Sequence, residues 1–85
     1  MAKLYVCSVF DAAVQAFARP ICVPATGMAL RSFSDEVNRA AADNQLYGHA
    51  ADFSLYMLGT FEEDEGTFVN EKVLLVRGVD VKAPA

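Results

Sequence analysis

Residues 53–62 read FSLYMLGTFE, and residues 63–69 continue as EDEGTFV. Phe53, Leu55, Met57, Gly59 and Phe61 fall on one side of this stretch, and Ser54, Tyr56, Leu58, Thr60 and Glu62 on the other. A period of two is the signature of a β-strand. The acidic run Glu62–Glu65 with Gly66 then reads as a solvated turn, because Gly66 supplies the positive φ that a short loop needs. Thr67-Phe68-Val69 returns as the second arm of a hairpin. The run lacks the alternating oxygen ligands and distal Glu of a calcium loop.

Further strands lie on either side of this hairpin. Lys3–Phe10 (KLYVCSVF) places Leu4, Val6 and Ser8 on one side and Tyr5, Cys7 and Val9 on the other, apolar on both as in a central strand. Asp11 is positioned to cap a short helix or turn over 12–18, which Arg19-Pro20 ends. Ile21-Cys22-Val23 is a short strand bounded by Pro24. Val73–Val76 is apolar on both faces, so it is either a central or an interface strand. Residues 27–42 form the clearest helix: Leu30, Phe33, Val37, Ala40 and Ala41 make an apolar stripe. Arg31, Asp35 and Arg39 fall on the opposite side, with Asp35 and Arg39 spaced as an ion pair. Thr26 reads as its cap and Asp43-Asn44 as its stop. Residues 44–52 form a loop. Together these segments predict one small α+β domain spanning 1–85, with an antiparallel sheet of about four strands and one main helix on one face. In that packing Leu30, Phe33 and Val37 meet Phe53, Leu55 and Phe61.

The 85 residues are 54% hydrophobic, more apolar surface than one small core needs, so a homo-oligomer is the expected outlet. No apolar run approaches the length of a membrane span, and the amino-terminal segment reads as a strand rather than a signal peptide. The net charge is −4, and the run Glu62–Glu65 carries all of it. The rest is balanced and leaves room for a local basic surface. Cys7 and Cys22 both read as small buried hydrophobes, able to bridge only if their strands are neighbours. With one distant His49 they do not make a metal set.

Catalytic signals are missing. The glycines are scattered singly rather than gathered in a phosphate loop. No nucleophile has a His and acid partner at a recognisable spacing. Tyr47 reads as a cover for the core edge and His49 as solvated. The expectation is a protein that is not an enzyme, with no catalytic residues, no cofactor and no metal.

Several segments taken together are distinctive: KLYVCSVFD, AFARPICV, ALRSFSDEVNRAA, DNQLYGHAADFSLYMLGTFEEDEGTF and RGVDVK. The chain resembles the small nonstructural protein of gokushovirus-type microviruses, tailless phages with circular single-stranded DNA genomes. The most specific pieces are Arg31-Ser32-Phe33, Asp52–Tyr56, and Gly59-Thr60-Phe61 leading to the acidic turn and Gly66. The resemblance implies a protein of the infected bacterial cytoplasm, absent from the mature virion. It also implies a DNA-binding role in genome replication or packaging. Single-stranded DNA binding would combine stacking with local basic groups. The candidates are Arg19, Arg31, Arg39, Tyr47, Tyr56, Arg77 and Lys82. The competing expectation is an oligomeric adaptor that binds a viral or host protein through Val73–Val76 and the Ala-rich helix end. Clustering of the basic residues favours the first reading, dispersal the second.

Overall fold

A computed structural model describes residues 2–84. Strand β1 (Lys3–Asp11) runs down the middle of the sheet, antiparallel to β4 (Phe53–Glu62), and β4 is antiparallel to the edge strand β5 (Thr67–Arg77). The other side of β1 is shared by two short strands, β2 (Ala16–Phe17) beside Phe10 and Asp11, and β3 (Ile21–Val23) beside Tyr5–Cys7. Five strands thus fill four positions, with β5 open at one edge. The β4–β5 hairpin is the one read from the sequence. Its turn closes through the Gly66 N–H donating to the Glu62 carbonyl at 2.7 Å, with Gly66 at φ 67°.

One helix, α1 (Thr26–Val37), covers one face. Its Ala29, Phe33 and Val37 form a single buried cluster with Cys7, Val23, Phe53, Leu55 and Met57, and Leu30, Tyr5, Val9, Leu75 and Val76 pack around it. This is the two-layer arrangement in which a sheet and a helix each bury one apolar side.

Sequence and structure part in several places. Of the helix or turn expected after Asp11 the chain takes the turn, and what the sequence did not show is the strand that follows it. The Asp11 carboxylate accepts the Ala13 N–H at 3.0 Å, Gln15 takes φ 58°, and Ala16-Phe17 returns to pair with β1. Thr26 begins α1 rather than capping it, and Ala25 holds the cap position without a side-chain bond. The helix stops at Val37, short of Ala40 and Ala41. There the Asn38 amide donates to the carbonyls of Ser34 and Val81, both at 2.9 Å, and so competes with helix continuation. Arg39 consequently pairs with Glu36, not Asp35. Buried Asn44 folds back under this end. Its amide donates to the carbonyls of Glu36 and Arg39, and its oxygen accepts from the Leu46 N–H. That last bond starts a short helix, α2 (Gln45–Gly48), followed by a 3-10 turn (Ala50–Asp52) where the sequence suggested only loop. After β5 the chain makes one further turn, α3 (Gly78–Val81).

Phe61 lies outside the core, because β4 carries an extra residue at Leu58. Val6 pairs with Gly59 and Cys7 with Met57. The bulge reverses the alternation beyond it. Thr60 therefore turns to the helix side and is buried, and Phe61 to the other side, against Phe68 with ring centroids 4.8 Å apart. Gly59 sits at this bulge, where a Cβ would run into the Val69 carbonyl.

Cys7 and Cys22 are on neighbouring strands but unbridged. Cys22 pairs with Val6 rather than Cys7, so the two thiols point to opposite faces of the sheet. Cys7 is buried and Cys22 exposed, so only one fits the expected buried role.

Candidate nucleic-acid interface

Strand alternation gives the sheet a second apolar face that α1 does not reach. Phe10 on β1 pairs with Ser54 on β4 and with Phe17 on β2, and Tyr56 pairs with Ser8 and Leu74. Each of these points away from the side occupied by Cys7, Leu55 and Met57. The three rings meet there. Phe10 and Phe17 have centroids 4.8 Å apart, Phe17 and Tyr56 5.3 Å, and Phe10 and Tyr56 6.3 Å, the last two pairs edge to face. These are favourable aromatic geometries. The β2 turn delivers Phe17 to this cluster, and the buried Ser8 hydroxyl fixes the following residue by donating to the Ala18 carbonyl at 2.6 Å.

Basic groups border the rings. The Lys72 ammonium stands 5.7 Å over the Phe17 ring. Arg77 pairs in register with Ser54, so it shares this face, and its Nε is 3.7 Å from Asp80. Arg19 is exposed directly after Ala18. The acidic turn lies at the other end of the hairpin, roughly 20 Å from Tyr56 by the ~3.3 Å strand rise.

The seven residues singled out in the sequence do not form one surface. Tyr56 and Arg77 lie on the open face, and Arg19 is exposed two residues after Phe17. Arg31 is on the outer side of α1, across the sheet from Tyr56. It lines a shallow hollow with Met28, Ser32, Asp35 and Glu36. Arg39 is held by Glu36 through bonds of 3.0 and 2.6 Å. This bidentate pairing holds the Glu36 carboxyl below its ordinary pKa and raises that of Arg39. Tyr47 and Lys82 are partners of each other. The Lys82 ammonium sits 3.5 Å from the Tyr47 ring centroid and donates to the Tyr47 carbonyl at 2.6 Å and the Val37 carbonyl at 3.5 Å. A cation at the carbonyl end of α1 is a helix-terminating contact.

Phe10, Phe17 and Lys72 are the residues that sequence reasoning missed. Phe10 shares the parity of Leu4, Val6 and Ser8 and was legible as theirs. Phe17 was not, because its segment reads as helical until the turn at Gln15 is known.

Other surfaces offer less. His49 lines a shallow cavity of about 260 Å³ with Asp11, Ala13, Gln45, Asp52 and Phe53. Among the described residues no group of three or more His, Cys, Asp or Glu side chains is placed to hold a metal ion. No helix among them is long and apolar enough to cross a membrane.

The fold is a two-layer α+β domain with an aromatic sheet face that α1 leaves uncovered. A family model described as Phage ORF5 protein matches residues 4–81, and the chain belongs to that family. It is a phage protein. Comparison with curated proteins and with solved structures gave no match.

Proposed function

We propose that this phage protein is a nonstructural accessory of a microvirus, made in the infected bacterial cytoplasm, that binds single-stranded DNA during genome replication or packaging. The observation that carries the reading is the cluster of Phe10, Phe17 and Tyr56 on the open face, with Lys72 set over Phe17. Unpaired bases stack on such rings without sequence preference, each contributing roughly 1–3 kcal/mol. Lys72 and Arg77 on that face, with exposed Arg19 two residues after Phe17, would supply the phosphate contacts. Arg31, Arg39, Tyr47 and Lys82 have no part in this surface. With about three phosphate contacts, affinity is weak and falls by roughly 2 log units per log unit of salt.

The dispersal of the other basic residues favours a second reading, an adaptor in phage assembly that binds viral or host protein without touching DNA. Fluorescence anisotropy of a labelled oligothymidylate at low salt separates the two. The DNA reading expects measurable binding that Phe17→Ala and Tyr56→Ala each weaken by about tenfold. Absence of binding at low salt, or unchanged affinity in both variants, overturns it in favour of the adaptor.

A further inference from the structure

Among the described residues no strand lies beside the outer edge of β5. It is also the most apolar exposed edge of the molecule: Phe68 is 67% exposed, Val69 54%, Leu74 47% and Val73 38%. Long, exposed, apolar edges are templates for pairing with another chain. The order of side chains along this edge says which chain.

From Thr67 to Leu74 the side chains alternate regularly. Phe68 pairs with Phe61 and Leu74 with Tyr56, so both lie on the open face with Asn70 and Lys72. Val69 pairs with Thr60 and Val73 with Met57, so both lie on the helix side; Glu71, opposite the register shift at Leu58, falls on that side by alternation between Asn70 and Lys72. An antiparallel copy related by a two-fold axis at Glu71 puts Phe68 opposite Leu74 and Val69 opposite Val73, each pair twice and each on its own face. All four exposed apolar residues of β5 are matched in that single register. The same register draws the acidic turn of each copy alongside Arg77 of the other. The one adverse contact is Glu71 against its own copy, since like charges directly opposite are destabilising, with Lys72 flanking it on each strand.

We infer that the partner of this edge is a second copy of the chain, joined β5 to β5 about a two-fold axis at Glu71. The contact is isologous and closes on itself. It keeps both open faces on the same side, so two aromatic clusters share one continuous sheet. The inference stands whether or not that face binds DNA.

Sedimentation equilibrium tests it without any ligand. Wild type is a dimer at high micromolar concentration. Phe68→Lys and Arg77→Glu weaken the dimer, each by at least tenfold. Glu71→Gln strengthens it, which a merely sticky surface would not show. A Glu71→Cys variant in a Cys22→Ser background then crosslinks to itself under mild oxidation faster than Lys72→Cys in the same background. A monomeric wild type overturns the inference. So does a dimer indifferent to Phe68→Lys, or one that Glu71→Gln loosens.

Discussion

The two faces of the sheet are built from the same strands and end in opposite conditions. On the helix side Cys7, Leu55 and Met57 are buried beneath Phe33 and Val37. On the other side Phe10, Phe17 and Tyr56 form one ring cluster and Phe61 and Phe68 a second pair, and Phe17, Phe68 and Leu74 remain exposed. The chain supplies two apolar faces and one main helix. The covered face supports the fold, with Val37 and Cys7 fully buried in it. The uncovered face and the open β5 edge are where binding energy remains to be gained.

Substitutions on the two faces sharpen that contrast. The largest effect is expected at Phe33, buried between helix and sheet. Phe33→Ala should lower unfolding free energy in urea by roughly 3–5 kcal/mol, enough to unfold a domain of marginal stability. Phe17→Ala, on the open face, should cost only about 1 kcal/mol while weakening DNA binding. Equal costs at the two positions would erase the distinction.

Next is Gly59, where both faces change hands. A Cβ at Gly59 meets the Val69 carbonyl, which belongs to backbone and cannot turn aside. Gly59→Ala should cost roughly 1–3 kcal/mol, and hydrogen exchange should show the loss concentrated in β4 and β5. Asn44→Ala should cost a similar or smaller amount, roughly 1–3 kcal/mol, since it leaves the Glu36 and Arg39 carbonyls without their donor.

The smallest effect is in pH. Burial pushes the Cys7 thiol above its ordinary pKa, with a further push from Cys22. A raised folded-state pKa gives stability that is fully present below the unfolded thiol's pKa. As pH rises past that value the unfolded chain ionises first, and stability falls until the folded thiol ionises too. Thermal unfolding from neutral to alkaline pH should show this decline, and Cys7→Ala should flatten it.

Much of this was legible because local pattern and tertiary outcome agree. The 53–62 strand, its acidic turn, the Ile21–Val23 strand and the Phe33–Val37 stripe follow from period and turn chemistry alone. What was not legible depends on contacts between distant segments. The end of α1 is set by Asn38 reaching the Val81 carbonyl, and no helical period foretells that. The bulge at Leu58 shows only once β4 is paired with its neighbours β1 and β5, yet it decides that Thr60 is inside and Phe61 outside. The candidate site was harder still. Arg31 and Arg39 stood out as charges at regular spacing, a pattern that marks the outward side of a helix. Phe17 was hidden in a segment of helix-forming residues, and its partners lie on β1 and β4.

The central claim is that the open face is where DNA sits, and chemical-shift mapping with a short oligothymidylate tests it most directly. The account predicts perturbed resonances at Phe10, Phe17, Tyr56, Lys72 and Arg77, with Arg31 and Arg39 unmoved. Perturbations confined to α1, or none at low salt, would contradict it.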